Sequence, residues 1–324
     1  MNLYFMTDII KLYGALFLSR WGKEAAGDSV GAILDVVRRG KSGKYIICED
    51  CGNIIAKPSA KSNKGCPICH GEGKSSWDGL KVSRIVEGIS YFHVVFTIPL
   101  ELNDFYWLNK LKFGDAMYEA AAETLLELAS RNLGGSLGAV IVFHSWAQDL
   151  SLHPHLHCYI PGRVLKEDGT WKALDNYMLS NSLLAMTYKG KLINALKKIW
   201  GALELPDHGP DSYEDPFYKA FFLTSLFEKT WIVYNKKVIS VRNAVKYLSD
   251  HMKRTSMAAY RIQKIDGSGV SFSWRDSRDS DAIKTMTLPG DEFLRRILLH
   301  TFPPGFRKIR NYGVLPAASR KKAR

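Results

Sequence analysis

Ser151-Leu152-His153-Pro154-His155-Leu156-His157-Cys158-Tyr159-Ile160-Pro161 is the stretch on which the reading of this chain turns. Histidine recurs at alternate positions, 153, 155 and 157. Residues two apart on an extended strand point to the same face. A strand here therefore aims His155 and His157 together and turns Leu156 and Cys158 the other way, into a core. Pro154 cannot donate to a sheet ladder, so the strand is expected to begin at it or just after it, which leaves His153 the least firmly placed. Two neutral imidazoles side by side on a strand can hold a divalent metal. For a run of three at this spacing we favour that reading over a half-buried strand of structural histidines.

The flanking segments read as a sheet around this strand. Tyr91 to Pro99, Y-F-H-V-V-F-T-I-P, is an apolar, β-branched and aromatic strand that Pro99 ends. Leu137 to Trp146, L-G-A-V-I-V-F-H-S-W, is a second strand, and the short loop after it predicts antiparallel pairing with the histidine strand. The histidines then lie mid-sheet between apolar strands. His144 falls near the end of its strand and reads as a satisfied sheet histidine, with a ligand role as the alternative. Helices are expected over residues 7–22, 29–38, 101–132 (broken near Gly114 and stopped by Gly134 and Gly135), 181–200 and 217–229. Asp168-Gly169 marks a hairpin within 162–180, and 203–216, with three prolines, reads as a loop. A short strand follows at 231–234, then a helix from Val241 to about Arg254, on which Tyr247 and His251 are four apart and share a face. Residues 260–264 and 270–275 read as paired strands, and the close as a helix followed by a basic turn.

Two C-x-x-C pairs, Cys48 with Cys51 and Cys66 with Cys69, are separated by fourteen residues. Each pair suits a tight turn that aims two thiolates at one ion, and four thiolates close a tetrahedral zinc site. Little apolar material lies between the pairs, so the module is expected to need Zn²⁺ in order to fold. A closed site has no open position, which assigns it to structure and nucleic-acid docking. Four of the five cysteines used this way also argue for a reducing compartment.

At 324 residues the chain can bury a core and is expected to hold more than one domain. Its 45 Lys and Arg against 32 Asp and Glu leave it at +13, which argues for a polyanionic partner. No segment has the roughly 18–20 apolar residues that span a bilayer, so no membrane partner is expected. The hydrophobic start carries Asp8 and Lys11 and lacks a basic beginning, which argues against a signal peptide. Lys61 and Lys64 beside the cysteines, Arg254 after the tyrosine helix, and Arg307, Lys308 and Arg310 near the end are the candidate phosphate contacts. Phe306 and Tyr312, interleaved with the last group, suit bases as stacking partners.

The order of these features resembles a known family. A four-cysteine module is followed by Y-F-H-V-V-F-T-I-P, H-S-W-A-Q-D-L-S-L-H-P-H-L-H-C, a tyrosine helix, K-T-M-T-L and P-G-F-R-K-I-R-N-Y-G. In combination these are similar to rolling-circle transposases of the insertion sequence ninety-one type, within the HUH (His, hydrophobic, His) superfamily of single-strand nucleases. The resemblance covers about Tyr45 to Gly313. It implies an α+β chain, with a zinc-ribbon module followed by an HUH endonuclease domain whose antiparallel sheet is flanked by helices. We set the boundaries at 1–44 for N-terminal helices, 45–80 for the zinc module, 88–290 for the nuclease domain, and 291–324 for a basic helix and tail. The resemblance further implies Mg²⁺ or Mn²⁺ on His155 and His157, and Tyr247 as a nucleophile forming a 5′-phosphotyrosine. The implied partner is single-stranded DNA carrying element ends or hairpins. A homo-oligomer is left open, and the implied setting is the nucleoid of a prokaryotic cytoplasm. The family's second tyrosine, four residues on, is His251 here; this implies a single nucleophile and offers His251 as a third metal ligand. A plasmid replication initiator or relaxase, and a non-catalytic zinc-ribbon DNA-binding protein, are the alternatives.

Overall fold

The computed structural model describes residues 6–21, 45–47, 54–56, 89–174, 179–207, 213–238, 256–276, 279–303 and 306–314. Their elements are helix α1 (Met6–Trp21), strands β1 (Tyr45–Ile47), β2 (Ile54–Ala56) and β3 (Tyr91–Thr97), and helices α2 (Asn103–Leu108) and α3 (Lys110–Leu128). Strands β4 (Gly138–Trp146), β5 (Leu152–Pro161), β6 (Arg163–Leu165) and β7 (Trp171–Ala173) follow, then helices α4 (Asn181–Ile199) and α5 (Pro216–Glu228). The chain closes with β8 (Val233–Val238), β9 (Ile262–Asp266), β10 (Gly269–Asp276), β11 (Ala282–Leu288), helix α6 (Gly290–Leu299) and β12 (Ile309–Gly313). Antiparallel sheets and segregated helices make this an α+β fold, as the sequence predicts. It divides into two units: residues 1–78, 145–152 and 253–302, and residues 79–144, 153–252 and 303–324.

The second unit is built on a five-stranded sheet of order β12-β4-β5-β3-β8. The histidine strand β5 is its centre. It pairs antiparallel with β3, with Thr97 opposite His155, Val95 opposite His157 and His93 opposite Tyr159. Strand alternation then sorts the side chains. Phe92, Val94 and Phe96 of β3, Leu156, Cys158 and Ile160 of β5, and Ile141 and Phe143 of β4 are all fully or almost fully buried. The helices cover this face: Tyr106 of α2 stacks on Phe143 at 5.3 Å between ring centroids, and Tyr188 of α4 lies 4.6 Å from Phe96. The opposite face carries every histidine of β3 and β5.

Local sequence explains the helix ends. Ser180 caps α4 by accepting from the Leu183 amide at 3.2 Å, and Asp215 caps α5 by accepting from the Tyr218 amide at 2.8 Å, with Pro216 opening that helix. The break expected near Gly114 lies instead at Asn109, between α2 and α3. There the amide Nδ2 donates to the Phe105 carbonyl at 3.0 Å and the Glu204 carbonyl at 2.7 Å, while Oδ1 accepts from the Glu204 amide at 2.8 Å. Gly114 lies inside α3, at a point where the helix is approached closely. A Cβ on it would lie 2.7 Å from the Phe306 ring.

Two strands after β10 were not anticipated. The basic turn is in fact β12, which pairs with β4 from Ile309 opposite Val142 to Gly313 opposite Gly138. Ala282 to Leu288 is β11, the third strand of a sheet of order β11-β10-β9 in the first unit.

In that first unit α1 packs on α6, and Ile9, Phe17, Val270, Phe272, Phe293 and Ile297 share one core. Buried Asp291 accepts from Arg20 Nη1 at 2.9 Å and Trp21 Nε1 at 3.1 Å, fastening the end of α1. Gly290 opens α6 directly beneath Tyr13, and a Cβ there would fall 2.1 Å from the ring. The ring cannot swing away cheaply, because its hydroxyl donates to the carbonyl of Asp266 and lies 3.2 Å from that of Gly269. Gly290→Ala should therefore destabilise this unit by about 1–3 kcal/mol, the scale of an overpacked core. Urea denaturation, with an unchanged midpoint as the contrary result, checks it.

Candidate metal centre

Three histidines meet on the face of the five-stranded sheet opposite the helices. His155 and His157 come from β5 and His144 from β4, and one ligand nitrogen of each lies within 4.8 Å of the others. Ring centroids are 4.5 Å apart for His144 and His157, 4.8 Å for His155 and His157, and 5.4 Å for His144 and His155. His144 is buried, while His155 and His157 are half-buried. The strand reading thus brings His155 and His157 together as expected, and a third histidine joins them from the neighbouring strand.

The hydrogen bonds around the cluster orient its lone pairs. His155 Nδ1 is 2.6 Å from the His153 carbonyl oxygen. A carbonyl only accepts, so Nδ1 carries the proton and Nε2 keeps a free lone pair. That Nε2 is 3.0 Å from His157 Nε2, and so the two strand histidines present the same ring atom to one point. Burial, with His153 beside it, holds the His155 imidazole down at about 4, which keeps it neutral at ordinary pH. Neutral imidazoles with oriented lone pairs are what a divalent metal requires. Three histidines from two adjacent strands fit the three-protein-ligand pattern of catalytic sites that keep further positions open. His153 contributes its carbonyl to this arrangement.

His93 of β3 was not singled out from the sequence. It is buried, its Nε2 is 2.8 Å from His157 Nδ1, and its ring stacks on Tyr159 at 4.9 Å. His144 was read as a satisfied sheet histidine, and only the strand pairing shows which face its parity puts it on. Val140, Val142 and His144 alternate along β4, and Val142 shares an apolar cluster with Tyr91 and Tyr159 on the histidine face.

Among the candidate phosphate contacts, Arg307 is exposed. Lys308 is buried, and Arg310 pairs with Asp115 and covers the Tyr118 ring at 4.0 Å. Tyr247, His251, Arg254, Lys61, Lys64 and the four cysteines, Cys48, Cys51, Cys66 and Cys69, lie outside the described residues, as do the helices expected over 29–38 and 241–254. Among the described residues no helix is long and apolar enough to cross a membrane.

Residues 138–323 match the family model described as "Putative transposase", and residues 17–98 match the transposase zinc-binding domain of the IS91 type. The chain belongs to the IS91-type transposase family. The first match takes in His144, His155, His157, Tyr247 and His251, and the second takes in all four paired cysteines. This transposase is 30% identical over 320 residues to "Putative transposase y4qJ" of Sinorhizobium fredii (strain NBRC 101917 / NGR234), across 96% of its own length and 80% of the relative's. It is 25% identical over 270 residues to the transposase for insertion sequence element IS801 of Pseudomonas savastanoi pv. phaseolicola, and spans 60% of that protein. Among solved structures, the conjugative relaxase TrwC in complex with mutant OriT DNA aligns over 49% of this chain and 71% of its own, at 15% identity and a TM-score of 0.29. A likeness that loose carries no further argument.

Proposed function

We propose that this transposase nicks and rejoins single-stranded DNA at the histidine cluster, with Tyr247 as nucleophile. The observation that carries this is the convergence of His144, His155 and His157 on the sheet face opposite α2 and α4, in a chain of this family. We take His144 as the third metal donor, because it already lies beside the pair; His251 remains the competing candidate. Mg²⁺ or Mn²⁺ bound there would supply Lewis-acid polarisation of a non-bridging oxygen of the scissile phosphate. The chain's own part is to hold that phosphate and present the tyrosine. The Tyr247 Oη forms a bond to phosphorus as the bond to the 3′-oxygen breaks. The tyrosine proton passes to solvent, and the departing 3′-oxygen takes one up. The 5′-phosphotyrosine so formed keeps the energy of the original ester, and attack by a 3′-hydroxyl reverses the step.

Single-stranded DNA carrying element ends or hairpins is the substrate this chemistry calls for. A net charge of +13 supports a polyanionic partner. Arg307, Arg254, Lys61 and Lys64 are the proposed basic contacts; Lys308, which is buried, and Arg310, which Asp115 and the Tyr118 ring hold, are dropped from the set. Cys48, Cys51, Cys66 and Cys69 would hold Zn²⁺ as a folding element, their C-x-x-C spacing being the feature that supports it.

The test is a denaturing gel. Labelled single strands carrying the element's ends are incubated with the protein and either Mn²⁺ or EDTA. The expected result is a labelled band retarded by the mass of the protein, present with Mn²⁺ and absent with EDTA. Tight binding of those ends without any adduct in Mn²⁺ would sink the nuclease reading and favour a zinc-ribbon DNA-binding protein.

A further inference from the structure

We infer that His93 is the positioning residue of the metal centre: with an ion bound it would accept a hydrogen bond from His157 Nδ1 and so fix which nitrogen His157 offers to the ion. This rests on the metal-site reading above. His157 can present the lone pair of Nε2, the atom that faces His155 Nε2 at 3.0 Å, only when its proton sits on Nδ1. The partner of that Nδ1 is His93 Nε2 at 2.8 Å, which must then be an acceptor. His155 is held the same way by a different group, the His153 carbonyl at 2.6 Å. Each strand histidine therefore has one nitrogen turned to the cluster and the other anchored behind it. That is the arrangement by which outer partners set tautomer and ring orientation at metal sites.

Geometry favours this role over simple packing. The His93 ring lies nearly parallel to both its neighbours, at 15° to His157 and 9° to Tyr159, with centroids 5.0 and 4.9 Å away. Its strand partner is Tyr159, so it reaches His157 along the diagonal of the sheet. The cluster whose nitrogens converge within 4.8 Å comprises His144, His155 and His157, and His93 stands behind it. A neutral imidazole in this position orients His157 without adding the negative charge a carboxylate would bring.

Two substitutions separate the hydrogen bond from the packing. His93→Phe keeps the stacked ring and removes the acceptor. His93→Gln keeps an acceptor oxygen near the position of Nε2 and removes the ring. Mn²⁺ affinity of the full chain is measured by electron paramagnetic resonance, without DNA, for these, the unsubstituted protein and His155→Ala. His93→Phe should weaken Mn²⁺ binding by about 10–100-fold, the range for loss of an outer-shell partner. His93→Gln should recover most of that loss. If His93→Phe does not fold, His93→Leu is read in its place. An unchanged affinity in the phenylalanine variant, or a glutamine variant no better than it, overturns the inference while leaving the metal site standing. Unchanged affinity in His155→Ala, or no Mn²⁺ bound by the unsubstituted protein, takes the metal site down and the inference with it.

Discussion

Alanine at His157 should leave the transposase able to hold single-stranded DNA and unable to cut it, and alanine at His144 should do nearly the same. Both residues sit on the sheet face opposite the helices, and neither belongs to the core that Phe96, Phe143 and Leu156 form on the other side. The proposed chemistry depends on their nitrogens, and strand binding in the same preparations reports on the fold. Lewis-acid stabilisation of a phosphoryl transition state is worth several kcal/mol, and each 1.36 kcal/mol is tenfold in rate, so cleavage should fall about a thousandfold or more. The internal control is His153→Ala. His153 serves His155 through its backbone carbonyl, which alanine retains. That variant should keep most of the cleavage rate. The measurement is a single-turnover time course of adduct formation in Mn²⁺, beside binding of the same strand by gel shift. A His144→Ala protein that cuts at the normal rate would remove His144 from the ligand set and return the third position to His251. Equal losses at His153 and His157 would mean that the whole strand, and not the metal, had been perturbed.

Much of this site was legible in eleven residues. The period of two along His153 to His157 fixes which side chains share a face, and Leu156 and Cys158 turning inward fixes which face is dry. What the stretch could not supply was register. His144 and His93 each lie in a run that reads as apolar strand, V-I-V-F-H-S-W and Y-F-H-V-V-F-T, and a lone histidine in such a run carries no signal of its own. Their meaning comes from pairing, which places His93 opposite Tyr159 and one diagonal step from His157. The same limit hid β12. Ile309 to Gly313 carries Arg310 and follows Lys308, so it reads as a basic turn. It becomes a strand because β4, more than 160 residues earlier, offers it a free edge, and because Asp115 and the Tyr118 ring receive its arginine. The helix break went to Asn109 for a related reason. A glycine is the usual marker, but the amide of Asn109 satisfies three backbone groups, two of them across the chain at Glu204. Patterns of period two or 3.6 are local, and these four features are set by partners far away in sequence.

Phenylalanine at Tyr247 should abolish the covalent adduct while sparing both DNA and metal binding. The substitution removes one oxygen and leaves the ring, so nothing but the nucleophile is lost. Loss of a nucleophile costs on the order of a millionfold in a well-studied covalent enzyme, and here the adduct should fall by at least ~10⁴-fold, below detection on a gel. The experiment records adduct, strand binding and Mn²⁺ affinity in the same preparations, because only the first should change. A useful contrast lies on the sheet itself. Tyr234 of β8 is half-exposed and opposite Val95, which is in turn opposite His157. It therefore shares the histidine face, two strands away from the cluster. Strands are spaced about 4.8 Å apart, so its backbone stands roughly 10 Å from that of His157, which makes it the control for a tyrosine of the sheet as against the proposed Tyr247. Tyr234→Phe should accordingly keep the adduct. If the adduct instead survives in Tyr247→Phe and disappears in Tyr234→Phe, the nucleophile belongs to the sheet. The metal chemistry would stand, and the tyrosine helix would lose its catalytic role.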